Sequence, residues 1–368
     1  MNTYVFEPRE PLMLRDGRLA SAGVPMRTLR FPWPSSMAGL VRTRLGQDAN
    51  GAFALSKEEA KKLFDVPVYG PWLAELSASD EVREVFFPAP MDCLWHAEAD
   101  DAERLTRRRL APISCPHGPS SDLPEGLEMV GPVGAAPSVK AASGPAFFSW
   151  EAISEWLTSP ETTTAWQSAR GLSALPVEQR THVSIDPTSG AAAEGKLFSS
   201  EALCFVVGEG KDTRRFGFVF GCDDQRLSLK AGPAHLGGER RLGFVRAASG
   251  TACPGCVTVP RDAKRLRLVL ATPGLFAAGF RPSHALFGGQ AKLVAAAVGR
   301  PQGISGWDYA VNGPKESRRM APAGSVYWVE LSDGMDAQAF AQKWWLRSLC
   351  DDEQAQRDGF GLCLVGVN

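Results

Sequence analysis

Arginine recurs beside glycine and serine in this chain, a pairing suited to oxyanions, because guanidinium grips phosphate bidentately and glycine lets backbone approach closely. Arg15-Asp16-Gly17-Arg18 precedes Phe31-Pro32-Trp33-Pro34, after which Ser35–Leu45 carries Met37, Leu40, Val41 and Leu45 at helical spacing. Ser35 or Ser36 is the expected N-cap, and the free amides of that helix start, with Ser36, Arg15, Arg18 and Arg42 around them, make a phosphate cradle. The same residues also read as a solvated turn and an ordinary cap. Leu236-Gly237-Gly238-Glu239-Arg240-Arg241-Leu242-Gly243 sets two arginines in a glycine-framed turn. Asn312-Gly313-Pro314-Lys315-Glu316-Ser317-Arg318-Arg319 brings three cations to the entrance of a strand, interrupted by Glu316. Each phosphate they contact would add about one unit of salt dependence. Finally, Arg180-Thr181-His182-Val183-Ser184-Ile185 and Glu194-Gly195-Lys196-Leu197-Phe198 flank Asp186-Pro187-Thr188-Ser189-Gly190, which is turn chemistry. They predict a protruding hairpin able to wedge between stacked bases, or a packed edge hairpin.

Those segments need elements to hold them. Gly (37) and Pro (27) recur between short apolar runs, which argues for many turns and short strands and against a helical bundle. Strands are expected at Thr3–Phe6, Ala202–Val207, Phe216–Phe220, Leu266–Ala271, Ser325–Leu331 and Leu362–Val367, with Ala291–Val298 ambiguous. Besides Ser35–Leu45, helices are expected from the Ser56/Glu59 capping box through Phe64, at Trp150–Leu157 capped by Ser149, and over Asp336–Leu349. The last third reads strand, variable connection, strand, helix, strand, which fits the second half of a ferredoxin-like βαββαβ unit. The N-terminal region starts in a similar way. Its stretch from about 46 to 179, rich in Pro, Ser and Ala, reads as an insertion, within which Gly131–Gly144 is an exposed loop. The fold class is therefore α+β, in two units covering 1–258 and 259–368.

Composition excludes several classes. Forty Lys plus Arg against 41 Asp plus Glu leave a net charge of −1, so any anion site is a local patch. No apolar run approaches the ~20 residues of a membrane helix, and Met1–Glu10 lacks a secretory pattern, so a cytoplasmic location is expected. Eight dispersed cysteines read as reduced thiols. Cys253-Pro254-Gly255-Cys256 is half of a zinc site without a second half. A nucleophile elbow, a Walker loop, a paired-His zinc helix and a Rossmann fingerprint are all missing, so no cofactor or metal is expected.

Taken in order, these blocks resemble a family. They are Glu7-Pro8 to Arg18, Phe31–Thr43, Ile185-Asp186 to Phe198, Gly237–Arg241, Gly306-Trp307-Asp308, Arg318-Arg319, Pro322–Tyr327 and Gly359–Leu362. The pattern is similar to the third subunit of the type III-B CRISPR effector, the Cmr complex, within the repeat-associated mysterious protein (RAMP) superfamily. The resemblance covers roughly the first 45 residues, 180–245 and 265–368. It implies tandem ferredoxin-like, RRM-related domains without an enzyme's active site. It further implies a subunit holding the 5′ handle of the CRISPR RNA (crRNA), paired with the large polymerase/cyclase-like subunit and abutting a backbone RAMP subunit. On that basis Arg15, Arg18, Ser36 and Arg42 lie near the handle backbone, Gly238, Arg240, Arg241, Lys315, Arg318 and Arg319 add phosphate or base contacts, and the hairpin at 180–201 is a thumb-like element. Arg180, His182, Lys196 and Phe198 on that hairpin are the expected base and backbone contacts.

Two other classes compete. Related RAMP subunits cut target RNA with a loop aspartate, and Asp16 occupies that loop here, which would permit metal-assisted cleavage. Other RAMP proteins cleave precursor RNA with a histidine, for which His96, His117 and His182 are available. The non-enzymatic competitor is an adaptor whose arginines meet acidic protein surfaces.

Overall fold

The computed structural model describes all residues except 1, 16–26, 49, 99–100, 114–122, 135–139, 161–165, 224–228, 251 and 309–312. Period-two alternation builds the first half. Strand β1 (Asn2–Pro8) turns Tyr4 and Phe6 to one apolar cluster and Val5 to another. It is followed by α1 (Pro34–Leu45), the short α2 (Lys57–Lys62), β2 (Val68–Leu76) and β3 (Val82–Pro88). Next come a three-stranded sheet of β4 (Cys93–Glu98), β5 (Asp101–Ile113) and β6 (Met129–Pro132), then β7 (Phe147–Ser149), α3 (Trp150–Thr158) and β8 (Gly171–Leu172). Strands β9 (Val177–Ile185) and β10 (Ala192–Leu203) form their own hairpin, after which β11 (Val206–Val207), β12 (Arg214–Cys222), β13 (Gly232–His235) and β14 (Leu242–Ala247) complete the main sheet. That nine-stranded antiparallel sheet runs β13-β14-β1-β12-β2-β3-β7-β8, with β11 on β12. Met37, Leu40 and Val41 of α1 pack in the cluster with Tyr4, Phe6, Leu73, Phe86, Phe218 and Phe220.

The second half contributes β15 (Arg265–Leu270), β16 (Ala291–Ala297), β17 (Gln302–Ile304), β18 (Trp307–Asp308), β19 (Gly313–Pro314), β20 (Arg318–Met320), β21 (Val326–Leu331), α4 (Ala337–Trp344), α5 (Glu353–Arg357) and β22 (Cys363–Val367). Its sheet runs β16-β21-β15-β22, antiparallel throughout, and two ribbons pair β17 with β20 and β18 with β19. The ambiguous Ala291–Val298 is thus a strand. Helix α4 starts where expected, with Asp336 Oδ1 accepting from the Ala339 amide (3.0 Å), but it stops at Trp344. Beyond it the Leu346 and Leu349 amides donate to the Cys363 and Gly361 carbonyls (2.8 and 2.9 Å), so pairing with the C-terminal strand replaces helical bonds. No helix among the described residues is long and apolar enough to cross a membrane.

The segment 46–179 is built into the fold far more deeply than an insertion implies. It supplies β2, β3, β7 and β8 of the main sheet, and α3 lies within the core. Strand β2 escapes a sequence reading because Gly70-Pro71 breaks its alternation. In the ladder with β12 the register shifts there, so the proline, which has no amide proton, is accommodated at a bulge. The boundary near 258 falls between sheets, yet Val5, Trp72, Phe87 and Phe148 share one continuous apolar cluster with Leu268, Tyr327, Trp328 and Val365.

Across this seam runs a buried guanidinium. Arg267 on β15 is fully buried and pairs with the equally buried Asp92, which precedes β4. It also donates to the Trp156 carbonyl of α3 (2.5 Å) and the Val367 carbonyl of β22 (2.6 Å). The Trp156 indole donates back to Asp92 (2.8 Å). Arg265 adds a bidentate pair with Glu128 (2.7 and 2.9 Å). Removing one member of a buried pair leaves the other charge desolvated. Arg267→Ala and Asp92→Ala are therefore each expected to cost about 3–5 kcal/mol, and the double variant less than their sum. Urea denaturation of the full chain measures all three, and strict additivity would show that the pair does not act as a unit.

Candidate nucleic-acid interface

Two of the expected anion sites, Arg15 and the Gly237–Arg241 turn, meet where the segment after β1 packs on that turn. Arg15 is exposed and bridges to Thr28, so the two arms of the first loop lie side by side. The Gly238 amide donates to the Met13 carbonyl (2.7 Å). A Cβ on Gly238 would lie 3.6 Å from Arg15 Nε. One on Gly237, whose φ is +83°, would meet the Met13 oxygen at 2.5 Å, so this close approach requires glycine. Glu239 and Arg240 follow with φ of 57° and 51°, a left-handed pair that non-glycine residues rarely adopt. The turn is held because His235 Nδ1 donates to the Arg240 carbonyl (2.6 Å). The Arg240 side chain itself points to solvent and meets no carboxylate among the described residues.

Its neighbour behaves differently. Arg241 is mostly buried, donating to Glu10 (2.8 Å) and Glu239 (3.0 Å). The Leu242 amide and Arg241 hold the Glu10 carboxyl below the usual carboxylate range, and that bond to Glu10 pushes the guanidinium upward. Arg241 therefore braces the turn from which Arg240 projects.

Helix α1 departs further from expectation. Its N-cap is Trp33 rather than Ser35 or Ser36, with Pro34 at the first helical position, where a missing amide proton costs nothing. Ser36 sits half-buried within the first turn. Arg42 does not reach a phosphate site. It is buried and donates to Asp358 (2.6 Å) and to the carbonyls of Leu63, Val66 and Phe64 (2.9, 3.3 and 3.4 Å), with Phe64 under its guanidinium. Its place on the packed face of α1 makes it a tie between the two halves. Asp16 and Arg18 lie outside the described residues.

The hairpin joins the same region at its foot, where Leu12 and Leu203 exchange backbone bonds (2.8 and 3.0 Å) and the Thr28 amide donates to Glu201 (3.3 Å). Opposite each other on its two strands, His182 and Phe198 stack (5.0 Å, 16°), and His182 Nε2 bonds Ser200 Oγ (2.8 Å). Arg180 shares this face, paired with Glu178 (2.7 Å). Val183 and Leu197 occupy the other, both exposed. Lys196 is exposed near the hairpin's end.

In the second half, Arg318 and Arg319 lie exposed on β20 and Lys315 just before it. Arg318 has a loose ion pair with Asp352 (3.8 Å), and Arg319 has none among the described residues. Their partner strand β17 brings Gln302 to a cavity of about 390 Å³ that both halves line. Its other walls include Arg27, Arg30, Phe31 and Trp33, of which the two arginines escape a sequence reading. Their signal is Arg27-Thr28-Leu29-Arg30, which runs directly into Phe31-Pro32-Trp33-Pro34. The Cys253 and Cys256 thiols are pushed up by burial, and the Pro254 carbonyl between them accepts from the Trp345 indole (3.1 Å). Among the described residues no three His, Cys, Asp or Glu cluster as metal ligands.

Solved structures of CRISPR effector complexes contain chains similar to this one. Two chains from cryo-EM structures of the Type III-B Cmr-beta bound to cognate target RNA, one also with AMPPnP, are each 16% identical, with 89% of this chain and 86% of theirs covered and TM-scores of 0.47 and 0.44. A chain of the Csm3-Csm4 subcomplex of the type III-A CRISPR-Cas interference complex is 11% identical, covering 91% of this chain and 94% of its own at a TM-score of 0.36. No curated protein matches. The family model for CRISPR-associated protein (Cas_Cmr3) matches residues 4–368, so this chain belongs to that family of Cmr RAMP-type subunits.

Proposed function

We propose that this chain is the non-catalytic, crRNA-holding subunit of a type III-B effector, gripping the 5′ handle and meeting the large polymerase/cyclase-like subunit and a backbone RAMP subunit. The observation that carries this reading is that Arg15 pairs with Thr28, which lies between Arg27 and Arg30 in the chain, and packs against the Gly238 turn that carries Arg240, all four arginines being exposed and without an ion-pair partner among the described residues of a nearly neutral chain. Arg42, Arg44 and Arg241, by contrast, are spent on carboxylates or carbonyls. Such a patch suits a short RNA segment better than general polynucleotide binding. The stacked His182/Phe198 pair supplies an aromatic platform of the kind unpaired bases use.

A tandem ferredoxin-like architecture underlies the proposal. Counted in chain order among themselves alone, the four neighbouring strands β14-β1-β12-β2 of the first half and β22-β15-β21-β16 of the second both run 4-1-3-2. The first half keeps the first helix of the βαββαβ unit, α1, and the second half keeps the second, α4.

The test incubates the full chain, alone and with the large subunit, with end-labelled crRNA carrying its handle or a scrambled one, in Mg²⁺ or EDTA. Retention of intact RNA that depends on the handle is expected in both buffers. Equal retention of the scrambled RNA would sink the handle assignment, and Mg²⁺-dependent shortening would overturn the non-catalytic role and promote Asp16. Arg240→Ala is expected to weaken binding and lower the log–log salt slope by about one. Arg42→Ala, by contrast, should cost about 3 kcal/mol of stability by stranding Asp358 and leave the salt slope unchanged. Salt titrations and thermal melts of both variants separate the two roles.

A further inference from the structure

A polar pocket of about 620 Å³ opens where the turn between β2 and β3 meets the segment 210–214. Two of its carboxylates stand directly opposite each other, Glu75 on β2 and Glu84 on β3. Like charges in that relation are destabilising unless each is matched. Glu75 is matched, since it is buried and accepts from Arg214 (3.1 Å) and Arg83 (3.4 Å). Glu84 is half-buried and has no cation at ion-pair distance among the described residues. One of its oxygens accepts the Trp150 amide (2.9 Å). Even so, burial, with the charges of Glu151 and Glu75 behind it, pushes the Glu84 carboxyl above the usual carboxylate range. Buried Leu76 and Phe86 add apolar lining, while Ala78, Lys211 and Asp212 are exposed at the margin.

We infer that this pocket receives a lysine side chain from a neighbouring protein subunit, its methylenes against Leu76 and Phe86 and its ammonium on Glu84. The inference rests on the reading of this chain as an effector subunit and adds a protein contact to it. Charge complementarity selects the occupant. An RNA phosphate would face Glu84 and Asp212, neither of which has a cation partner among the described residues. A divalent metal would find one open carboxylate, because two guanidinium groups hold Glu75, and no three ligands cluster among the described residues. A free polyamine would meet Arg83 and Lys211, exposed cations that repel a polycation. A lysine brings a single charge, on a stem that packs along apolar surface. Guanidinium favours a two-oxygen grip, and one Glu84 oxygen already serves Trp150. Ammonium is a point charge that needs only the other oxygen.

The test treats the purified effector, containing the full chain, with a carbodiimide, which joins a carboxylate to an amine in ion-pair contact, and maps the joined peptides by mass spectrometry. The expected product links Glu84 to a lysine of another subunit. Glu84→Lys is then expected to weaken binding to that subunit about thirtyfold or more, the usual cost of breaking a desolvated charge pair. A Lys→Glu change at the mapped position should recover most of the loss. Circular dichroism reports the fold of Glu84→Lys, and Glu84→Gln, which keeps an acceptor for the Trp150 amide, should lose several-fold if the lysine variant does not fold. Glu84 left unlinked in an intact effector, or linked only within its own chain, overturns the lysine seat and leaves the effector reading standing. A link to another subunit whose charge exchange recovers nothing overturns the seat too. If the full chain joins no other subunit, the effector reading fails first.

Discussion

The structure depends on a charge that water cannot reach. Arg267 is fully buried on β15, and burial of an unpaired guanidinium would cost several kcal/mol. Asp92, the Trp156 carbonyl and the Val367 carbonyl meet it, and these come from the segment before β4, from α3 and from the last strand. The brace therefore ties the 46–179 segment to the second half through Asp92 and Trp156. It also positions the cavity. The residues just ahead of Asp92 are pinned by the Met91 amide, which donates to the Gly324 carbonyl (2.8 Å), while the Gly324 amide donates to the Leu270 carbonyl at the end of β15 (2.7 Å). Pro88, Ala271 and Ala323, walls of the cavity, sit at these joints.

A division of labour among arginines follows from local dielectric. Where the two halves pack together, Arg267, Arg265 and Arg42 meet Asp92, Glu128 and Asp358. Where loops from both halves meet solvent, Arg15, Arg27, Arg30, Arg240 and Arg319 have no carboxylate partner among the described residues. A chain with net charge −1 thus exposes several guanidinium groups with no carboxylate partner among the described residues without being basic. The glycine turn shows how finely this is arranged. Two adjacent arginines share a motif, yet one braces the turn through Glu10 and Glu239 and its neighbour projects from it.

Much is legible in the residues alone. Alternation and β-branched content locate β1, β12, β15, β21 and β22, and the Ser56/Glu59 and Ser149 caps each accept the bond their spacing implies. The order of motifs points to the family, and the hairpin's turn residues point to the hairpin, since all of these are local properties of a few neighbouring side chains. What the residues alone leave open is anything decided by a distant partner. Arg42 and Arg240 are the same residue type beside helix and turn signals, and only packing makes one a tie buried against Asp358 and leaves the other facing solvent. Nor do they show that β2, broken by Gly70-Pro71, is a main-sheet strand, or that Arg27, Arg30 and Gln302 line one cavity. Those facts arise from long-range burial and sheet register, whose free energies depend on residues hundreds of positions away.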